Sequence, residues 1–169
     1  MSNFEVNLGG YRDIKDIAVT VKLPLNSDPH TSLLVWTTTP WTLPGNMAAA
    51  VHKDSVYLKV AKQQAKATTG NSQSKAEYII VAKDRADDAL SNSDWADFEI
   101  VDEFKGGDLV GESYQPPFRY WLDQEFSGKN QAWKIFHADY VDVGDTGTGA
   151  VHLAPALSLI HISEPTRPY

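Results

Sequence analysis

The chain has no cysteine, which excludes disulfides and thiolate metal sites. No apolar run approaches the length of a membrane span, and the N-terminus lacks a basic stretch leading into an apolar one. A cytoplasmic location with no membrane partner is the expectation. Basic residues are scarce, with 15 Lys and Arg against 22 Asp and Glu and a formal net charge of −7. No basic stripe is visible, so broad contact with a nucleic-acid backbone is disfavoured and any such contact is narrow. The five histidines (His30, His52, His137, His152, His161) are scattered without ligand spacing, so no metal is implied. No Ser-His-Asp order, nucleophile elbow or nucleotide-binding signature is present. What remains is an ordinary globular composition, 42% hydrophobic and 22% charged over 169 residues, enough for one domain with a substantial core.

The chain is organised around Thr37-Thr38-Thr39-Pro40-Trp41-Thr42-Leu43-Pro44-Gly45-Asn46. The preceding run Leu33-Leu34-Val35-Trp36 reads as a buried strand. Thr37, Thr38, Thr39 and Thr42 crowd hydroxyls, each donor and acceptor, at the mouth of that strand. Pro40 and Pro44 end the ladder and hold a turn-like path. From residue types alone, a β-branched strand end followed by a proline turn is the favoured reading. A second segment, Gly144-Asp145-Thr146-Gly147-Thr148-Gly149-Ala150-Val151-His152-Leu153-Ala154-Pro155, joins a glycine-rich turn to a short strand.

The threonine stretch closely resembles the editing-domain signature of isoleucyl-tRNA synthetases; the related valyl and leucyl enzymes carry an Arg-Pro-Glu or Arg-Pro-Asp version in its place. The second segment resembles the same family's Gly-Thr-Gly-x-Val-His-x-Ala-Pro motif from across the pocket. Ser2-Asn3-Phe4-Glu5-Val6 and Tyr11-Arg12-Asp13-Ile14-Lys15-Asp16 are similar to the family's lead into the inserted domain. The resemblance runs from about Ser2 to Ala156, in the family's order. It implies a mainly β fold with flanking helices, a β-barrel editing domain of the valyl, isoleucyl and leucyl type. Residues 1–16 would be a lead-in segment, 17–156 the editing domain and 157–169 a non-native tail. That tail, Leu-Ser-Leu-Ile-His-Ile-Ser-Glu-Pro-Thr-Arg-Pro-Tyr, reads like a translated adapter or cloning scar.

The reaction so implied is hydrolysis of the ester joining a wrong amino acid, chiefly valine, to tRNA specific for isoleucine. A synthetic pocket rejects a side chain smaller by one methylene only weakly, so a second pocket hydrolyses what fits; isoleucine and valine are the established example of this limit. A positioned water is the economical nucleophile, and the oxyanion needs donors already in place. By motif position Thr38, Thr39 and His152 would be catalytic, and Thr37, Trp41, Thr42, Asn46, Gly147, Thr148 and Gly149 substrate-binding. Trp41 is equally a wall of the pocket or a buried structural residue. Gly147 and Gly149 would let backbone amides approach the terminal adenosine, though alone they signal a turn before a strand. His152 faces opposite to Val151 and Leu153, and read alone it is a core histidine. Asp145 reads first as a loop cap, and His52, His137 and Asp139 have no motif behind them.

Partners would be the 3′ end of aminoacylated tRNA and the rest of a synthetase polypeptide. Editing would need no cofactor. ATP and Mg would belong only to a full-length synthetase, whose His-Ile-Gly-His and Lys-Met-Ser-Lys-Ser motifs are missing here. The family's ammonium-binding aspartate follows the Ala-Pro motif, and no tail residue, Glu164 included, matches it. Losing that charge partner implies weak substrate anchoring and little or no editing. Two other readings stay open: a freestanding trans-editing deacylase, and a noncatalytic β-barrel binding module in which replacing Thr38, Thr39 or His152 changes binding alone.

Hydropathy along the chain anticipates strands over 17–25, 33–36, 47–51, 55–60, 77–82, 98–104, 132–136, 138–143 and 147–153, with one short helix over 83–90. The pair 47–51 and 55–60 reads as a hairpin joined at His52-Lys53-Asp54. Residues 61–75 read as a long hairpin tip, and 111–121 as a packed loop or edge strand.

Overall fold

The structure, a computed structural model, describes residues 17–62, 76–141 and 146–155. The lead-in segment, most of the hairpin tip, Asp145 and the tail lie outside the described residues. The elements in order are β1 (Val19–Pro24), β2 (Thr31–Thr37), a 3₁₀ helix (Pro40–Gly45), β3 (Ala48–Val51), β4 (Val56–Lys62) and β5 (Tyr78–Ala82). A 3₁₀ turn (Lys83–Arg85) leads into α1 (Ala86–Leu90), followed by β6 (Phe98–Lys105) and 3₁₀ turns at Gly106–Leu109 and Lys129–Gln131. The chain closes with β7 (Lys134–His137) and β8 (Ala150–Leu153).

The fold is mainly β, as the resemblance implies. Among the described residues, however, the strands form two sheets and no closed barrel is detected: a five-stranded sheet ordered β1-β2-β5-β4-β6 and a three-stranded sheet ordered β7-β3-β8. The sequence explains the layering. In β2, Leu33 and Val35 face the core between the sheets, while Leu34 faces a second core under α1 with Leu58, Val60, Ile79, Val81, Leu90 and Trp95. A strand buried on both faces reads as a continuous apolar run, and this one does. In β5, Ile80 and Ala82 go to the first core and Ile79 and Val81 to the second, the period of two expected for a strand. No helix among the described residues is long and apolar enough to cross a membrane.

Two expectations fail. β3 and β4 do not form a hairpin: β3 pairs with β7 in parallel and with β8 antiparallel, while β4 pairs with β5 and β6. All four residues of β3 are buried. A strand of that kind needs neighbours along both edges, so the His52–Ser55 turn carries the chain from one sheet to the other. Ala138–Val141 is a turn closed by Val141 N–H donating to Ala138 O at 3.2 Å, and the strand expected there does not form over the described residues.

Two buried tyrosines tie the layers together. The Tyr57 hydroxyl donates to Gly149 O at 2.6 Å and accepts from His52 N–H at 3.2 Å. The Tyr114 hydroxyl donates to Asn46 Oδ1 at 2.8 Å. Burial pushes the Tyr57 phenol up to about 12 and also raises that of Tyr114. In the unfolded chain both ionise near pH 10. Their contribution is therefore complete below pH 10 and is lost as pH rises through the folded values. Urea midpoints should hold up to about pH 10 and fall towards pH 12, by on the order of 2 kcal/mol for Tyr57 alone. Tyr57→Phe should flatten that fall, and an unchanged slope would remove the phenol as its cause.

Candidate functional site

The threonine stretch leaves β2 at Thr37 and turns at once into the 3₁₀ helix. Thr39 occupies its N-cap position with φ −124°, a proline follows in the first turn, and Pro44 lies inside it. Pro40 suits a first turn because its missing N–H would have no partner there. The turn into the helix gathers three hydroxyls, those of Thr37, Thr39 and Thr42, into a compact group. Thr39 N–H donates to Thr37 Oγ1 at 3.1 Å, and the Oγ1 atoms of Thr37 and Thr39 are 3.3 Å apart. Thr42 Oγ1 donates to Thr39 O at 2.7 Å and lies 3.4 Å from Thr39 Oγ1. Thr37 is buried and Thr38 and Thr39 are exposed. Thr38 makes no side-chain hydrogen bond among the described residues, so its hydroxyl faces outward uncommitted.

His152 comes to this group from the far end of the chain. It sits on β8 opposite Ala49 of β3, on the same side of the strand as the core residue Ala150. Its Nε2 lies 2.9 Å from Thr42 Oγ1. Thr37, Thr39, Thr42 and His152 thus form one hydrogen-bonded row joining two segments 110 residues apart.

The Gly-Thr-Gly turn sets this meeting. Thr148 is buried, and its hydroxyl donates to Leu34 O of β2 at 2.6 Å. Its own carbonyl accepts from Ala82 N–H at 3.0 Å. Gly147 sits beside Trp36 at φ +85°, where a Cβ would come within 3.2 Å of the ring. Gly149 has φ +77° and gives its carbonyl to Tyr57. Arg85 Nε donates to Gly147 O at 3.3 Å, and its Nη1 pairs with Asp88 at 3.0 Å. The turn is therefore bolted to β2, β5 and the helix before β8 begins. Thr148→Val should cost about 1–2 kcal/mol, because Leu34 O would be left buried without its donor. A urea midpoint equal to that of the unaltered chain would show that this bond carries no net weight.

The expected residues divide into two groups. Thr37, Thr39, Thr42 and His152 come together where β2 passes into the 3₁₀ helix, with Thr38 exposed beside them in the chain. Asn46 and Thr148 are instead committed to the scaffold. Asn46 is 2% exposed, accepts from Tyr114, and donates through Nδ2 to Ala48 O at 3.0 Å. Its side chain holds the 3₁₀ helix to β3. Trp41 is 64% exposed, which removes the buried structural reading for it. The 3₁₀ helix is braced further by Trp121 Nε1 donating to Pro44 O at 3.1 Å and by Trp133 Nε1 donating to Asn46 O at 3.1 Å. Trp133 holds an unusual φ of +55°, at which its own N–H donates to Met47 O at 2.6 Å. Tyr57, Arg85, Tyr114 and Trp133 carried no local sequence signal for these duties.

No protein-family model matches the chain. It is 39% identical over 156 residues to the cytoplasmic isoleucine–tRNA ligase of Schizosaccharomyces pombe and 37% identical over 156 residues to the isoleucine–tRNA ligase of Chlamydia pneumoniae, in each case over 92% of this chain. It is 38% identical over 145 residues, 86% of this chain, to the isoleucine–tRNA ligase of Archaeoglobus fulgidus. The chain spans 13% of the length of each of these relatives. Among solved structures, it is similar to GlLeuRS-CP1, with a TM-score of 0.57 and 19% identity over 83% of this chain and 56% of the other. It is also similar to the editing domain of the cytosolic leucyl-tRNA synthetase of P. knowlesi, with a TM-score of 0.56 and 14% identity over 82% of this chain and 57% of the other.

Proposed function

The chain is a segment of the isoleucine–tRNA ligase family with the fold of a synthetase editing domain, and from that premise we propose that it hydrolyses the ester of valyl-tRNA specific for isoleucine. The reading rests on one observation above all, the 2.9 Å contact between Thr42 Oγ1 and His152 Nε2. It joins the two motifs into one polar row.

In this reading water is the nucleophile and no cofactor takes part. The hydroxyls of Thr37, Thr39 and Thr42 are already oriented by one another, and groups held in place in this way need little reorganisation as the reaction proceeds. Thr38, whose hydroxyl hydrogen is uncommitted, donates to the developing oxyanion, and the Thr39 oxygen accepts from the attacking water. His152 contacts the amino-acid side chain or the ribose. Trp41 offers an exposed ring at the rim for the terminal adenosine, and Gly147 and Gly149 keep their turn narrow enough for that end to approach. The net charge of −7 limits the tRNA contact to its 3′ end, with the tRNA body held by the rest of a cytoplasmic synthetase.

The test is deacylation of valyl-tRNA specific for isoleucine by the unaltered chain and by one in which Leu157–Tyr169 is replaced by a continuation carrying the family aspartate. The repaired chain should release valine, and the unaltered chain should be slower or silent because it lacks a partner for the substrate ammonium. Silence from both, with the fold intact by circular dichroism, would overturn hydrolysis by this segment alone.

A further inference from the structure

A hydroxyl carries a single hydrogen. That of Thr42 is committed, because Oγ1 lies 2.7 Å from the carbonyl oxygen of Thr39, which can only accept. Without a hydrogen between them, two acceptors at that distance would repel. The same Oγ1 is 2.9 Å from His152 Nε2. With the hydroxyl hydrogen already given away, the second contact is a hydrogen bond only if the ring nitrogen donates. We infer that Thr42 is a positioning residue that keeps a proton on Nε2 of His152 and so fixes the orientation and tautomer of the ring.

The assignment holds in both charge states. When the ring is charged, Nε2–H donates to Thr42; when it is neutral, Nε2 keeps its hydrogen and the lone pair lies on Nδ1. The same reasoning gives the threonine row a direction. Since Thr42 has no hydrogen to spare, its 3.4 Å contact with Thr39 Oγ1 requires Thr39 to donate. Thr39 having donated there, the 3.3 Å contact with Thr37 Oγ1 requires Thr37 to donate. Thr37 Oγ1 also accepts from Thr39 N–H, which leaves its hydrogen available for this bond. The row therefore passes donors one way, from Thr37 to Thr39 to Thr42, and His152 closes it from the other side as a second donor.

The chemical consequence is specific. Nε2 cannot serve as a base that draws a proton through Thr42. On that edge His152 is a hydrogen-bond donor, and any proton it accepts arrives at Nδ1. The role of Thr42 is thus to orient the ring and set its tautomer. The importance of this for ester hydrolysis rests on the function proposed above, whereas the tautomer rests on the geometry alone.

The experiment is ¹⁵N NMR of the full chain labelled at histidine, using long-range proton–nitrogen correlations to separate protonated from bare ring nitrogens. His152 is identified by the signals that vanish in His152→Gln. At a pH where the ring is neutral, Nε2 should appear protonated and Nδ1 bare. Thr42→Ser keeps the oxygen and should keep the pattern. Thr42→Val removes it and should shift the ring towards a mixture or the opposite tautomer. A bare Nε2 in the unaltered chain would overturn the assignment, as would a Thr42→Val spectrum matching that of Thr42→Ser. Should Thr42→Val not fold, the unaltered and serine chains decide by themselves. Deacylation measured in parallel on the repaired chain keeps the two questions apart: an inactive protein with Nε2 protonated defeats the functional reading and supports this one.

Discussion

Replacing Gly106 with alanine is expected to destabilise the fold by about 3 kcal/mol, at the upper end for overpacking a close-fitted site. A Cβ at this position would lie 2.2 Å from the carbonyl oxygen of His52 and 2.7 Å from the ring of Tyr57. The first neighbour is backbone, and it is held in turn by Gly106 N–H donating to Ser55 O and Gly107 N–H donating to Lys53 O, both at 2.9 Å. Relief would require parting the His52–Ser55 turn from the Gly106–Leu109 helix or pushing Tyr57 aside. Tyr57 also anchors Gly149, so the disturbance would reach the turn that aims β8. The adjacent residue is the control. A Cβ on Gly107 would meet nothing nearer than 3.5 Å, and Gly107→Ala should shift the urea midpoint by less than about 1 kcal/mol. Equal midpoints for the two variants would show that the close approach at Gly106 is relieved cheaply.

Deacylation by the repaired chain should fall by roughly 10²-fold or more in Thr38→Val and in His152→Ala, the scale of losing one preorganised donor at a developing oxyanion or its equivalent in substrate contact. The two variants probe different things. Thr38 is exposed and bonded to nothing among the described residues, so valine removes a hydroxyl without breaking a scaffold contact. A loss of rate with an unchanged urea midpoint would place Thr38 at the reacting atoms. His152→Ala removes the end of the row and leaves Thr42 Oγ1 short of a donor, so its rate and its stability should both respond. Full activity in Thr38→Val would take that residue out of the chemistry and leave Thr39 as the threonine to examine.

Much of this is legible in the sequence. The run of Leu33 to Trp36 gave a buried strand because burial on two faces needs no alternation. The two prolines and four threonines gave a hydroxyl-lined exit from it, and the glycines around Thr148 gave a turn, each from local chemistry. The separation of β3 from β4 is not legible in the sequence for a physical reason. Pairing is settled by which distant strands cover a wholly apolar edge, and a short link such as His52–Ser55 serves a hairpin and a crossing between sheets equally well. Side-chain commitments were equally out of reach. Asn46 and Thr42 are both small polar residues in one motif, yet Tyr114 draws Asn46 into the scaffold while His152 draws Thr42 to the surface row. Neither partner is near in sequence, so nothing local distinguishes the two.

The place of β3 at the centre of the smaller sheet has a bearing on biosynthesis. Its four apolar residues leave the ribosome well before β7 and β8, the strands that cover them. The five-stranded sheet can pair as soon as β6 has been made, since all its members precede that point. Until the last strand arrives, Ala48–Val51 is an uncovered apolar edge of the kind that invites mispairing or chaperone attention. The Thr42–His152 contact cannot form before then either. A nascent chain therefore carries the threonine row through the synthesis of the following 110 residues without the histidine that completes it.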